Sequence, residues 1–169
     1  MTLANYLYAL VYSNMYDEND WQHWGEKLLE NAVYDDDSEW VYDVVFTVNK
    51  QKLFEVLSER IFREDYLSHN TYTLTEIIQG YYYYQYLHNQ INLYELLNKS
   101  GDVADAGEDS KGCEFFYDLL NKIDKNSNII NDAEFVKIIH NYFNPLCMAA
   151  IEQKRKFELA QIEDLILDI

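Results

Sequence analysis

Residues 73–91, TLTEIIQGYYYYQYLHNQI, carry the strongest fold signal in the chain. Thr73 and Glu76 have the S/T-x-x-E spacing of a capping box, which predicts that a helix begins here. At about 100° per residue, one side of this helix collects a stripe that we interpret as core: Leu74, Ile77, Tyr81, Tyr84, His88 and Ile91. The helix either continues to Lys99 or breaks near residues 88–90.

Three further tyrosines, Tyr82, Tyr83 and Tyr86, point largely away from that stripe. The first interpretation is a central helix that is buried on both sides, with each hydroxyl bonded to a neighbour or to water. The second is a partner-binding patch, because tyrosine is enriched at interface hot spots. The spacing leaves both interpretations open.

The composition of the whole chain predicts an all-α protein. Its 169 residues include only five glycines and one proline, which disfavours a turn-rich sandwich or barrel. We predict a single domain over residues 1–169, with about six to eight helices in an orthogonal or bundle-like array. Hydrophobic spacing predicts further helices at about 2–14, 21–29, 40–48, 50–63, 114–123, 132–143 and after Pro145.

One internal segment is predicted to be an acidic loop. Residues 100–112 read SGDVADAGEDSKG and hold three of the five glycines. Small and acidic residues in this density are typical of connections between helices.

The charge of the chain favours a basic protein partner. Thirty acids against thirteen bases give a formal charge of −17, which argues against nucleic acid and anionic membranes as ligands. A negative field speeds encounter with a positive partner. The first twenty residues lack the features of a signal peptide, and Cys113 and Cys147 are interpreted as free thiols, so we expect a cytoplasmic protein.

Acidity is concentrated towards the beginning of the chain. Residues 1–49 hold ten acids, one base and all three tryptophans. We predict that the acidic run within them contacts a partner, together with Tyr82, Tyr83 and Tyr86. The run consists of Asp35, Asp36, Asp37 and Glu39.

Catalytic motifs are absent from the sequence. It contains no nucleophile elbow, zinc-protease motif, phosphate-binding loop or dinucleotide fingerprint. Cys113 with a distant histidine is a pairing that any chain of this composition allows. We therefore expect neither enzymatic activity nor a cofactor.

Residues 124–135 resemble an EF-hand calcium loop with one residue deleted. Asp124, Asn126, Asn128 and Glu134 match the first, third, fifth and last ligand positions, but the glycine at the sixth position is missing. The alternative is a helical hairpin with an Asn-rich turn, in which Asp132 or Asn131 caps the next helix. That alternative is the preferred interpretation.

In size, acidity, tyrosine and acid clusters and lack of catalytic motifs, the chain is similar to the small acidic immunity proteins of bacterial toxin–immunity pairs. That resemblance implies a cytoplasmic inhibitor that neutralises a basic toxin, often a nuclease, by presenting Asp and Glu to the cations that hold the toxin's substrate. It assigns no individual residue. The alternative functions are a degenerate EF-hand calcium binder and a helical scaffold or interaction protein.

Overall fold

The computed structural model describes residues 3–16, 25–26, 40–47, 49–63, 72–107 and 109–158. Every regular element within these residues is helical, which confirms the all-α class. The described helices are α1 (Leu3–Tyr12), α2 (Trp40–Val45), α3 (Lys50–Arg63), α4 (Leu74–Leu87), α5 (Leu93–Ala106), α6 (Cys113–Lys125) and α7 (Ala133–Glu158), with a 3₁₀ helix at Ser127–Asn131.

The contacts within the chain divide it into two compact units. Unit 1 comprises residues 1–70 with 153–169, and unit 2 comprises residues 71–152. The single domain over residues 1–169 therefore stays a prediction.

Unit 1 has its described core between α1 and α3. The side chains of Leu7 and Leu10 from α1 and of Leu53 and Leu57 from α3 are fully buried. Beside this core, the rings of Tyr8 and Tyr12 both meet Phe54 edge-on, at centroid distances of 5.6 and 5.9 Å. The residues whose helical spacing predicted α1 and α3 are thus the residues that pack between the two helices.

In unit 2, α4 begins as its capping box predicts. The Thr73 hydroxyl accepts a hydrogen bond from the Glu76 backbone N–H at 3.2 Å, and the Glu76 carboxylate accepts one from the Thr73 N–H at 2.9 Å. The helix ends at Leu87, and the backbone turns through Asn89 at a φ of 57° before α5 begins. The two predicted alternatives were a helix that continues to Lys99 and a helix that breaks near residues 88–90. The break is observed.

Helix α4 is buried nearly all round. Gly80 faces α7 so closely that a Cβ added there would lie 2.3 Å from the main-chain oxygen of Leu146. Within the predicted stripe, Ile77 and Tyr81 are core residues, whereas His88 is exposed because it follows the end of the helix.

The predicted loop at residues 100–112 is largely wrong. Helix α5 continues to Ala106, which leaves only residues 107–112 as the connection to α6. Ser100, Gly101, Val103 and Ala104 are all buried, so packing against neighbouring helices holds a sequence of low helix propensity in a helix.

The predicted break at Pro145 is also wrong. Helix α7 passes through this proline without interruption for 26 residues. Pro145 itself is exposed, while Phe143, Leu146 and Cys147 on either side of it are buried. Burial of these neighbours outweighs the missing N–H that makes proline unfavourable inside a helix.

Candidate functional sites

The tyrosines of α4 are mostly part of the interior of unit 2. Tyr82 and Tyr83 are only 4% and 3% exposed, and Tyr86 is half-buried. The Tyr83 ring stacks on Phe143 at 5.3 Å, and its hydroxyl lies 3.2 Å from Nδ1 of His140. Burial raises the pKa of Tyr83 above its usual value. The buried interpretation therefore holds for Tyr82 and Tyr83, neither of which offers its ring to a partner.

The acidic run of Asp35, Asp36, Asp37 and Glu39 lies outside the described residues. Its role in partner binding stays a prediction.

The segment that resembles a calcium loop forms the helical hairpin that the alternative interpretation expected. The Asn126 side chain accepts a hydrogen bond from the Asn128 backbone N–H at 3.2 Å and opens the 3₁₀ helix. Asp132 then accepts one from the Phe135 N–H at 2.9 Å and caps α7. Among the described residues, no group of three or more His, Cys, Asp or Glu is placed to hold a metal ion.

A buried polar cluster, the Gln79 network, joins α4 to α5, α7 and the α5–α6 connection; its members are Gln79, Ser100, Asp109 and Tyr142. Gln79 is fully buried, and its Nε2 donates to the main-chain oxygen of Ser100 at 3.2 Å and to Oδ2 of Asp109. The Tyr142 hydroxyl lies 2.7 Å from Gln79 Oε1. All the hydrogen-bonding atoms of the Gln79 amide group are thus used.

Tyr142 also lies close to the Asp109 carboxylate, with its hydroxyl 3.0 Å from Oδ1. One hydroxyl proton cannot serve two acceptors fully, and the shorter contact goes to Gln79. Burial and the neighbouring Asp109 charge raise the pKa of Tyr142 well above its usual range. Because Asp109 lies between α5 and α6, the network fixes the connection of this helical hairpin.

On the outside of the same hairpin lies an acidic seam, which consists of Asp102 and Asp105 on α5 and Glu114 and Asp118 on α6. All four side chains are exposed. In the described parts of the chain, none of the four has a lysine or arginine nitrogen within 4.0 Å. Within the described residues, the seam is therefore a group of four exposed carboxylates that form no ion pair with lysine or arginine.

Two side-chain contacts across the hairpin hold the seam in place. The Tyr117 hydroxyl donates to Asp102 Oδ1 at 3.0 Å, and the Cys113 thiol donates to Asp105 Oδ1 at 3.5 Å. Gly101 allows this approach, because a Cβ there would lie 2.8 Å from Cε1 of the Tyr117 ring. The hydrogen bond to Asp102 raises the pKa of Tyr117 above its usual value.

Both cysteines have a raised thiol pKa. Both are free thiols, as the sequence predicted. Burial, followed by the hydrogen bond to Asp105, raises the pKa of Cys113, and burial raises the pKa of Cys147 to about 11. A reactive cysteine needs the opposite shift, because the thiolate is the nucleophile.

Sequence reasoning missed the acidic seam because Asp102 and Asp105 fell in the predicted loop. Asp102 and Asp105 are three residues apart, and Glu114 and Asp118 are four residues apart. Each pair therefore lies on one face of its helix. A helical reading of residues 100–106 would have found this signal.

The chain matches no protein-family model, no curated protein and no solved structure. In the part of the chain that the structure describes, no helix has the length and apolar character needed to cross a membrane.

Proposed function

We propose that this protein is a binding module that captures and neutralises a basic protein partner through the acidic seam. The observation that carries the proposal is the placement of four exposed carboxylates on one hairpin, with no lysine or arginine nitrogen of the described residues within 4.0 Å of them. No catalytic step or cofactor is part of the proposal.

Uncompensated like charges weaken a folded protein, since they repel one another across a helix face. A partner that brings arginine or lysine to the seam relieves this repulsion and gains charge-assisted hydrogen bonds. The same field accelerates encounter between the two proteins. Binding of a basic protein would therefore account for these exposed carboxylates, which folding alone does not explain.

The finer form of the proposal is a cytoplasmic immunity protein that blocks a basic toxin, such as a nuclease. The formal charge of −17 and the absence of catalytic motifs from the sequence support it. The run of Asp35, Asp36, Asp37 and Glu39 is a second acidic segment that this partner would meet. Tyr82 and Tyr83 are not part of the proposed surface, because they are buried.

The test is affinity capture from lysate of the source organism, at about 0.1 M and at about 1 M salt, with retained proteins identified by mass spectrometry. The Debye length falls from about 10 Å to about 3 Å over this range, so an electrostatic complex weakens. The bait is compared with Glu114→Gln/Asp118→Asn. The matched control Asp124→Asn/Glu134→Gln removes the same two charges from exposed sites on the same unit.

We expect the bait to retain one basic protein at low salt. Loss of two seam charges should reduce retention about two- to thirty-fold, because each exposed ion pair contributes about 0.2–1 kcal/mol. The control variant should retain the partner as the unchanged protein does. Equal losses in both variants would overturn the seam as the binding site, and retention of no basic protein would overturn the proposal as a whole.

A further inference from the structure

A small groove in unit 1 lies between the end of α2 and one face of α3. It has a volume of about 270 Å³ and is lined by Asp43, Phe46, Thr47, Lys52, Val56 and Glu59. The three α3 residues recur at four and three positions, so they share one face of the helix. Ligand pockets for drug-sized molecules start at about 300 Å³, which makes this groove suited to a single side chain.

Phe46 is the unusual member of the groove. Its side chain is 75% exposed, more than that of any other large hydrophobic residue among those the structure describes. Its backbone N–H donates to the Tyr42 oxygen at 2.9 Å, which fixes the residue at the end of α2. The Phe46 ring is therefore accessible to an incoming group.

Two carboxylates belong to the described lining of the groove that holds Phe46. Asp43 lies one helical turn before Phe46, and Glu59 adds a second carboxylate to the lining. Among the described residues of the lining, Lys52 is the one cation, and its Nζ pairs with the Glu55 carboxylate at 3.2 Å.

We infer that this groove binds an arginine side chain of the basic partner. The inference rests on the proposed function, because that function supplies the basic protein. A guanidinium group stacks on an aromatic ring and forms paired hydrogen bonds with a carboxylate, which a lysine ammonium does not do. Phe46 supplies the ring, and Asp43 supplies the carboxylate on the same side of the helix.

The test uses the full chain labelled with ¹⁵N and the tripeptide acetyl-Gly-Arg-Gly-amide, followed by backbone amide shifts. A single arginine limits non-specific attraction to the acidic surface. The lysine and citrulline analogues are matched probes, the first with the charge but not the planar group and the second with nearly the shape but no charge. We expect saturable shifts at residues 43–47 and 56–59, with a dissociation constant in about the millimolar range.

Four variants locate the binding. Phe46→Leu and Asp43→Asn should each weaken arginine binding about two- to five-fold, in line with a surface cation–π contact and an exposed ion pair. Tyr94→Leu removes an exposed ring from unit 2 and Glu26→Gln an exposed charge from unit 1, and both should bind as the unchanged chain does. The lysine peptide should bind at least about two-fold more weakly, and the citrulline peptide should cause no saturable shift.

The outcomes separate this inference from the proposed function. Saturable shifts in the groove that Phe46→Leu and Asp43→Asn weaken would support the inference. Shifts confined to the acidic seam, or equal binding by all four variants, would overturn the groove and leave the basic-partner proposal standing. No saturable shift anywhere would also overturn the groove, and the affinity capture would then decide the proposed function independently.

Discussion

Two aspartate–tyrosine pairs in unit 2 share one oxygen–oxygen distance and have different surroundings. The Tyr142 hydroxyl lies 3.0 Å from the Asp109 carboxylate, and the Tyr117 hydroxyl lies 3.0 Å from the Asp102 carboxylate. The first pair belongs to a network around the fully buried Gln79, whereas the second sits at an exposed seam between two helices.

Burial, not distance, decides what each pair does. For Tyr142 the main cause of the raised pKa is burial, and for Tyr117 it is the hydrogen bond to Asp102. A buried polar group that loses its partner costs the full desolvation penalty, while an exposed one regains water. The inner pair therefore supports the fold, and the outer pair lies on an exposed surface, where its loss costs the fold little.

The largest expected effect comes from the packing beside the inner pair. In Gly80→Ala the new Cβ would lie 2.3 Å from the main-chain oxygen of Leu146, within the continuous helix α7. A backbone atom cannot move aside cheaply, so we expect a loss of about 3 kcal/mol in the free energy of unfolding. Urea titration followed by circular dichroism measures it.

The matched control for this change is Gly101→Ala beside the outer pair. There the Cβ would meet Cε1 of the Tyr117 ring at 2.8 Å, which is the outer part of a half-buried side chain and not a backbone atom. Alanine also favours a helix over glycine by up to about 1 kcal/mol, so the net change should stay within about 1 kcal/mol. Similar losses in the two variants would contradict the distinction between the inner and outer packing.

A smaller effect is expected from Tyr142→Phe. This change removes the hydroxyl that lies 2.7 Å from Gln79 Oε1 and leaves that buried oxygen without its donor. The loss should be about 2 kcal/mol at neutral pH, which is the usual cost of an unsatisfied buried acceptor. The free energy of unfolding from urea titrations gives the value.

The same variant should alter the pH dependence of stability. The pKa of Tyr142 is raised in the folded protein, so its neutral form stabilises the fold below the unfolded value of about 10, and this contribution is lost as pH rises above it. The free energy of unfolding should fall above about pH 10 by up to about 1.4 kcal/mol per pH unit for this one proton. Tyr142→Phe should remove that part of the slope, and an unchanged slope would show that Tyr142 is not the group responsible.

Local patterns predicted the parts of the fold that local interactions determine. The capping box of Thr73 and Glu76, the helix at residues 50–63 and the hairpin capped by Asp132 all follow from residues a few positions apart. The helical conformation of residues 100–106 and the passage of α7 through Pro145 depend instead on burial against other helices, which outweighs local propensity.

The candidate sites were less predictable for the same reason. The partners of Gln79 lie 21, 30 and 63 residues away in sequence, so no short motif marks the network. The acidic seam consists of residues on two helices, and the predicted loop over residues 100–112 hid the helical position of Asp102 and Asp105. Tyrosine spacing identified two sides of α4 but could not tell that both would be covered.

The smallest expected effect completes the comparison at the outer pair. Tyr117→Phe keeps the ring that packs on Gly101 and removes only the hydroxyl that donates to Asp102. Because Asp102 is exposed, water replaces that donor, and we expect the melting temperature to change by no more than about 1–2 °C. Differential scanning calorimetry of this variant beside Tyr142→Phe measures both in one experiment. A loss at Tyr117 as large as that at Tyr142 would mean that the seam is part of the stability of unit 2, and its carboxylates would then be explained by folding and not by a partner.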